Sequence, residues 1–207
     1  MKSLTLYKVD LPLENVPDPQ ADVWARAVEV VVPLSATPLE AQTSAYVRSV
    51  WRGRPYGLTP YVAVRAFHGD GWVAFRLSWP CPAKSDRLTD DDAFLDAACL
   101  LFASSNDTPI AMGSAERPVE GWLWRADWPR PRLVRAQGPG TSLREEVASL
   151  RASAVWERGH WIVSLAGPRR AEGFIAIAIW QGAHQERAGI KAYSPSWLSL
   201  SWEGGSE

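Results

Sequence analysis

The sequence predicts a mainly β protein, an antiparallel β-sandwich of two sheets with a few short helices. Short apolar or alternating runs recur along the 207 residues, separated by clusters of Gly, Pro and Asp, and their number and spacing suit sandwich strands. The chain also holds 16 prolines, grouped in stretches such as DWPRPR at 127–132, which largely exclude long helices. A hydrophobic fraction of 46% with 22% charged residues is enough to fill a real core.

Taken in order, strands are expected at 24–32, 61–67, 72–79, 97–102, 119–126, 152–157, 161–165, 174–180 and 197–202. HGDG at 68–71 separates the second and third runs, and Asp70 with Gly71 makes a turn that tolerates positive φ, so a hairpin is expected there. Residues 158–160 form a similar turn around Gly159. One helix is expected at 142–152: Ser142 followed by Glu145 has capping-box spacing, and Val147 with Leu150 gives a short apolar stripe. It would cover a sheet edge. The acids at 90–92 would also start a helix running to 102, but the ACLLF run bounded by a polar loop is read as a buried strand. No fixed-period repeat and no Gly/Ser-rich linker divides the chain, so residues 1–207 are expected to form a single domain.

A net charge of -1 and a pI near 6.3, with arginines scattered rather than gathered, give no reason to expect nucleic-acid binding. The apolar runs at 97–103 and 174–180 are far shorter than the roughly 20 residues of a membrane-spanning helix. The N-terminal stretch MKSLTLYKVDLPLENVPDPQ meets acid and proline where a secretory signal has its apolar region, so it is not read as one. Cys81 and Cys99 lack C-x-x-C spacing; a buried free thiol or a single disulfide is expected ahead of a metal role.

Met112 is the one methionine besides the initiator. A lone methionine is ordinarily core filler, but this one lies between Pro109 and Gly113, where a tight turn projects a side chain into a cleft. Lys191 follows the buried run FIAIAI and a polar loop, with few acids near it in sequence; its ordinary reading is a solvated amine. His68 and His160 belong to turns and are read as surface residues. His184 lies seven residues before Lys191 in the same loop and is of more interest. Among the 12 tryptophans, Trp122, Trp124, Trp180, Trp197 and Trp202 are expected to pack in the core or cap sheet edges. Their rival role is a sugar-binding platform of exposed rings. No G-x-S-x-G elbow activates Ser78, Ser114 or Ser194, no Gly-rich phosphate loop is present, and no c-type haem attachment motif occurs.

Two segments carry a family resemblance. WQGAHQERAGIKA at 180–192 combines W-x-G, a polar turn and E-R-x-G-x-K-A ahead of a strand bearing Trp197; PIAMGSAERPVEGWLWRAD at 109–127 has a methionine-bearing loop followed by a W-x-W strand. Together they resemble the haem b-binding gamma subunits of the ethylbenzene dehydrogenase-type (DMSO reductase type II) molybdenum enzymes. Recognisable motifs cover about residues 61–202. The Gln-Gly-Ala-His turn departs from the Asp-rich version of that family.

The resemblance implies a sandwich similar to that of a carbohydrate-binding module, with one non-covalent haem b. Met112 and Lys191 would be its axial ligands, brought by the fold to one end of the sandwich on opposite haem faces. A thioether is a soft neutral donor that favours ferrous iron. The lysine must give up its proton, which burial in an apolar pocket promotes. His184 would stand behind the ligand or contact a propionate. The implied partners are an alpha subunit holding a molybdenum pterin cofactor and a beta subunit holding iron-sulfur clusters, in a heterotrimer. Electrons would pass from molybdenum through the clusters to this haem and on to an external acceptor such as a cytochrome, or in reverse in a reductase. A hydrocarbon or sterol dehydrogenase/hydroxylase is preferred to an oxyanion reductase. The expected location is the periplasm, reached with a signal-bearing partner, with the cytoplasm as the alternative. The readings from other classes are a carbohydrate-binding sandwich and a cofactor-free assembly protein.

Overall fold

A computed structural model describes residues 2–12, 18–88, 93–169 and 172–203. Its strands, in chain order, are β1 (Ser3–Lys8), β2 (Val30–Pro33), β3 (Ser35–Ala36), β4 (Tyr61–His68), β5 (Trp72–Pro80), β6 (Ala97–Ala103), β7 (Val119–Arg125), β8 (Arg132–Ala136), β9 (Leu143–Glu146), β10 (Arg151–Glu157), β11 (His160–Pro168), β12 (Phe174–Trp180), β13 (Ala192–Tyr193) and β14 (Leu198–Trp202); the helix α1 spans Ala45–Trp51. Hydrogen bonds join them in the order β10-β11-β5-β4-β1-β14-β12-β6-β7-β8-β9, with β2, β3 and β13 beside this path.

The path folds over on itself to make two layers. Val64 of β4, Leu77 of β5 and Val163 of β11 meet Leu100 of β6, Trp122 of β7 and Ile177 of β12 in one buried cluster. Aromatic rings lock the layers together: Phe75 lies 6.0 Å from Phe102 and Trp79 6.0 Å from Trp124, centroid to centroid. Such edge and tilted contacts favour a fixed register beyond simple area burial. The predicted β-sandwich is therefore the observed architecture.

Most pairings are antiparallel, as expected, but β1 is a parallel insert between the layers. It runs parallel to β14 on one side and to β4 on the other. Leu4 and Leu6 supply its buried alternation, too short a pattern to stand out in the sequence. Both expected hairpins form. His68 pairs with Val73 across the HGDG turn, where Gly71 has φ +73°. Glu157 pairs with His160 across Arg158 and Gly159, both left-handed.

Three expectations at the level of elements need correction. Residues 142–152 are not a helix: β9 and the start of β10 occupy them. The capping-box spacing of Ser142 and Glu145 loses to a strand ladder on β8, in which Arg132 pairs with Glu146 at 2.9 Å and Arg135 with Glu145 at 2.6 Å. The 24–32 run is divided, because Trp24 turns into a short 3-10 segment and packs on Phe67 before β2 begins. The strands β8 and β9 and the helix α1, whose Ser44 hydroxyl accepts the Val47 N–H at 3.3 Å, were not expected. The strand reading of the ACLLF run holds as β6; residues 89–92, where the rejected helix would have started, lie outside the described residues. Cys81 and Cys99 are both free and buried, in separate clusters.

Trp124 stands edge-on to Trp79 and Trp161 in the core, whereas Trp202 is 43% exposed at the end of β14. Trp124→Ala should cost roughly 3–5 kcal/mol and Trp202→Ala under about 1 kcal/mol in denaturant unfolding. Equal losses would show that the layers do not meet through these rings.

Candidate cofactor site

The outward face of the second layer is an apolar floor of mostly small side chains. Tyr193, Ala178, Cys99, Leu123 and Arg132 stand side by side across five strands. The neighbouring row is Ala176, Leu101, Gly121 and Val134. Successive residues of a strand alternate faces, so Ala98, Leu100 and Phe102 of β6 enter the core while Ala97, Cys99 and Leu101 form this floor. Met112, Trp128 and Trp180 close over it.

Met112 reaches the floor from the Ala103 and Val119 end. The β6–β7 loop doubles back there through two left-handed residues, Met112 at φ +70° and Gly113 at φ +72°. The Gly113 N–H donates to the Pro109 carbonyl at 2.8 Å, and the Gly138 N–H donates to the Met112 carbonyl at 2.9 Å. A Cβ on Gly113 would lie 2.5 Å from the Arg117 carbonyl oxygen, so the turn requires glycine. Left-handed geometry costs a methionine on the order of 1–2 kcal/mol, and these bonds hold it there. The half-buried side chain packs on both clusters of the outward face.

Lys191 approaches from the other end, through the loop that follows Trp180. Two buried carboxylates fix that loop. Asp96 accepts the backbone N–H of Gly182 at 2.9 Å and of Ser85 at 2.7 Å, and the Trp161 indole N–H at 2.8 Å. Glu186 accepts the N–H of Gln181 at 2.9 Å and of Gly57 at 2.6 Å. Gly57 is left-handed at φ +63°, and a Cβ on it would lie 2.5 Å from Ala36 Cα, so only glycine lets the segments approach. Thr37 donates its N–H and hydroxyl to the Lys191 carbonyl at 3.0 and 3.2 Å. The next two residues are clamped between β12 and β3.

With its backbone held on both sides, Lys191 lays its amine 5.2 Å from the Trp180 ring centroid. The amine donates to the Ala188 carbonyl at 3.3 Å, and the Trp180 indole N–H donates to the same oxygen at 3.0 Å. Among the described residues no carboxylate pairs with it. Burial lowers the Lys191 amine below the ordinary lysine range, with a smaller opposing effect from Cys99; solvent reaching the half-buried side chain limits the effect. Burial likewise pushes the Cys99 thiol up to about 12. Burial raises Glu186 above the usual carboxylate range, opposed by its backbone hydrogen bonds.

The fold thus brings Met112 and the Lys191 loop to one face, but not to one end of the sandwich. In the β6–β12 register Phe174 stands opposite Ala103 and Trp180 opposite Ala97, so the two loops leave opposite ends of these strands and fold back over the floor. His184 is exposed on the 3-10 turn Gly182–His184. His68 and His160 belong to β4 and β11 in the first layer. Two depressions, of about 450 Å³ at Asn106, Ile110 and Trp197 and about 410 Å³ at Lys84, Phe94 and Gln185, lie beside the two loops rather than on the floor. Sequence reasoning missed Asp96 and Glu186. Glu186 sits inside the E-R-x-G-x-K motif, but its partner at Gly57 is 129 positions away and leaves no local signal.

Two outcomes test this geometry in the cofactor-free chain. Glu186→Ala strands backbone N–H groups of residues 57 and 181, so it should destabilise the fold by at least about 2 kcal/mol and speed hydrogen exchange at those amides. Unchanged exchange would remove Glu186 from the account. A lysine whose folded pKa is depressed binds fewer protons folded than unfolded between the two values, so stability rises with pH across that window, up to the free-lysine value near ~10.4. Unfolding midpoints should therefore climb with alkaline pH more steeply in the wild type than in Lys191→Met. Parallel pH profiles would contradict a desolvated amine.

Comparison with known proteins places this architecture. No protein-family model matches the sequence. It is 28% identical over 201 residues to the dimethylsulfide dehydrogenase subunit gamma of Rhodovulum sulfidophilum, covering 87% of this chain and 73% of that one. It is 25% identical over 205 residues to a putative respiratory nitrate reductase heme subunit of Haloferax mediterranei, covering 89% and 70%. It is 30% identical over 196 residues to the chlorate reductase subunit gamma of Ideonella dechloratans, covering 88% and 78%. Among solved structures, a family 9 carbohydrate binding module from Caldicellulosiruptor kristjanssonii, in complex with glucose, covers 100% of this chain and 98% of its own at TM-score 0.50 and 9% identity; that likeness is one of fold alone. By its sequence relatives, the chain belongs to the gamma-subunit family of the ethylbenzene dehydrogenase-type (DMSO reductase type II) molybdenum enzymes and is a subunit of a molybdenum oxidoreductase complex.

Proposed function

We propose that this chain is an electron relay that binds one haem b non-covalently between Met112 and Lys191. The observation that carries the reading is the convergence on one apolar floor of a thioether and an amine that no carboxylate among the described residues pairs with, from loops at opposite strand ends. These donors suit the two axial positions of a haem iron. Among the described residues no group of three or more His, Cys, Asp or Glu is arranged for a bare metal ion. A relative bears the name heme subunit, which supports the same cofactor.

When bound, haem b supplies a one-electron couple. The protein does the rest. Met112 offers a neutral soft donor that raises the reduction potential. Lys191 must hold its nitrogen unprotonated, and its burial against Trp180 favours that state. Ala97, Cys99, Leu123 and Val134 keep water from the site. The clamps on the lysine backbone keep the amine in place when its proton is lost.

In this reading the whole of residues 1–207 serves as one cofactor domain. Electrons pass between an iron-sulfur beta subunit and an external acceptor such as a cytochrome, while a molybdenum alpha subunit selects the substrate. A hydrocarbon or sterol is the preferred substrate class; relatives named for nitrate and chlorate reduction give the oxyanion alternative its support. No helix of the described residues is long and apolar enough to cross a membrane, and a periplasmic site reached with a signal-bearing partner fits the proposed trimer. Of the tryptophans that a sugar platform would use, Trp122, Trp124 and Trp197 are buried, Trp180 is half-buried and Trp202 is exposed.

The purified complex should yield haem b to acid acetone, one per chain. Haem that stays on the denatured polypeptide would contradict non-covalent binding. Met112→Ala should lose or weaken the low-spin spectrum, and Met112→His should stay coloured at a lower potential. Lys191→Arg should lose low-spin character at every pH, because arginine offers no practicable neutral donor; Lys191→Met should keep it and abolish the conversion to high spin in acid. A wild-type spectrum in Lys191→Arg would exclude Lys191 as ligand.

A further inference from the structure

The outward face carries more positive charge on its β8–β9 side than its own carboxylates neutralise. Arg125 is matched by Asp127 through two hydrogen bonds of 2.6 and 2.8 Å, and Arg132 by Glu146 at 2.9 Å. Both guanidiniums lie against Trp128, 4.3 and 4.0 Å from its ring centroid. Arg144 is the next cation on this face. It stands opposite Val134, the last apolar residue of the row that starts at Ala176.

Among the described residues Arg144 enters no ion pair. Glu146, two residues further on the same face, is already taken by Arg132. The Arg144 charge is felt at the Cys99 thiol, although β7 and β8 lie between β9 and β6. The register thus puts Arg144 on the same face as the floor, at the margin made by β9. An apolar face bordered by a guanidinium that pairs with no carboxylate among the described residues is complementary to an apolar molecule that ends in carboxylates, and guanidinium binds carboxylate with two parallel hydrogen bonds.

We propose that Arg144 binds a propionate carboxylate of the haem, an inference that rests on the haem reading above. Arg144 is exposed, so its replacement leaves the fold intact. The test loads the full chain with haem b, or with haem dimethyl ester, which has no free carboxylates, and follows transfer to excess apomyoglobin. Arg144→Gln should lose natural haem roughly tenfold faster than the wild type, the scale of a charge-assisted hydrogen bond, with an unchanged low-spin spectrum. Arg144→Lys should fall between them. With the dimethyl ester, wild type and Arg144→Gln should release at the same rate. Equal rates with natural haem, or a difference that persists with the ester, would overturn the proposal. A wild-type chain that takes up no haem overturns this proposal together with the haem reading. Unchanged spectra in Lys191→Arg and Met112→Ala, alongside discrimination between haem and ester, would sink the ligand assignment and leave Arg144 standing.

Discussion

A buried carboxylate that accepts backbone N–H groups from distant segments fixes all of them at once, and Asp96 and Glu186 do this for the loop between β12 and β13. Asp96 ties Gly182 to Ser85 and to the Trp161 indole; Glu186 ties Gln181 to Gly57. Each such hydrogen bond contributes about 0.5–1.5 kcal/mol, and leaving its donor buried and unmatched costs more. The loop therefore has one low-energy path, and that path ends with the Lys191 carbonyl held by Thr37 and its amine over Trp180. A lysine on a freer loop would turn its ammonium to water. Here partial burial against Trp180 lowers the amine below the ordinary lysine range, the direction that a neutral nitrogen donor needs.

The floor beneath the amine depends on a division of labour between strand faces. Large aromatics are turned inward: Trp79, Trp122, Trp124 and Trp161 interlock with Phe75 and Phe102. The outward positions of β6, β7 and β12 hold Ala97, Cys99, Gly121, Ala176 and Ala178. The core carries the stability, so the outward face can be given small residues without loosening the layers. A sandwich of the same fold with exposed aromatics would serve another ligand.

Much of the fold was legible because apolar alternation is a local property. Runs such as FIAIAI and the turn at Asp70 and Gly71 identified their strands and hairpin from a few residues. The failures were those where a distant partner decided. Ser142 and Glu145 have helix-cap spacing, but Arg132 and Arg135 across the ladder draw Glu146 and Glu145 into a strand. β1 was invisible because two leucines between parallel neighbours give too little pattern. For the site, the motifs pointed to Met112 and Lys191, yet the expectation that their loops share one end was wrong: loop ends depend on strand direction in the sheet, which two isolated motifs do not specify. Arg144 could not stand out among 22 basic residues until its place on the floor was known.

The haem proposed for this floor would be held by two donors that reach it from opposite strand ends, and an experimental structure of the haem-loaded complex is the measurement that tests this. The expected result is iron bound by Met112 Sδ and Lys191 Nζ. Iron bound by His184 or by any other side chain, or a haem seated away from this face, would contradict it.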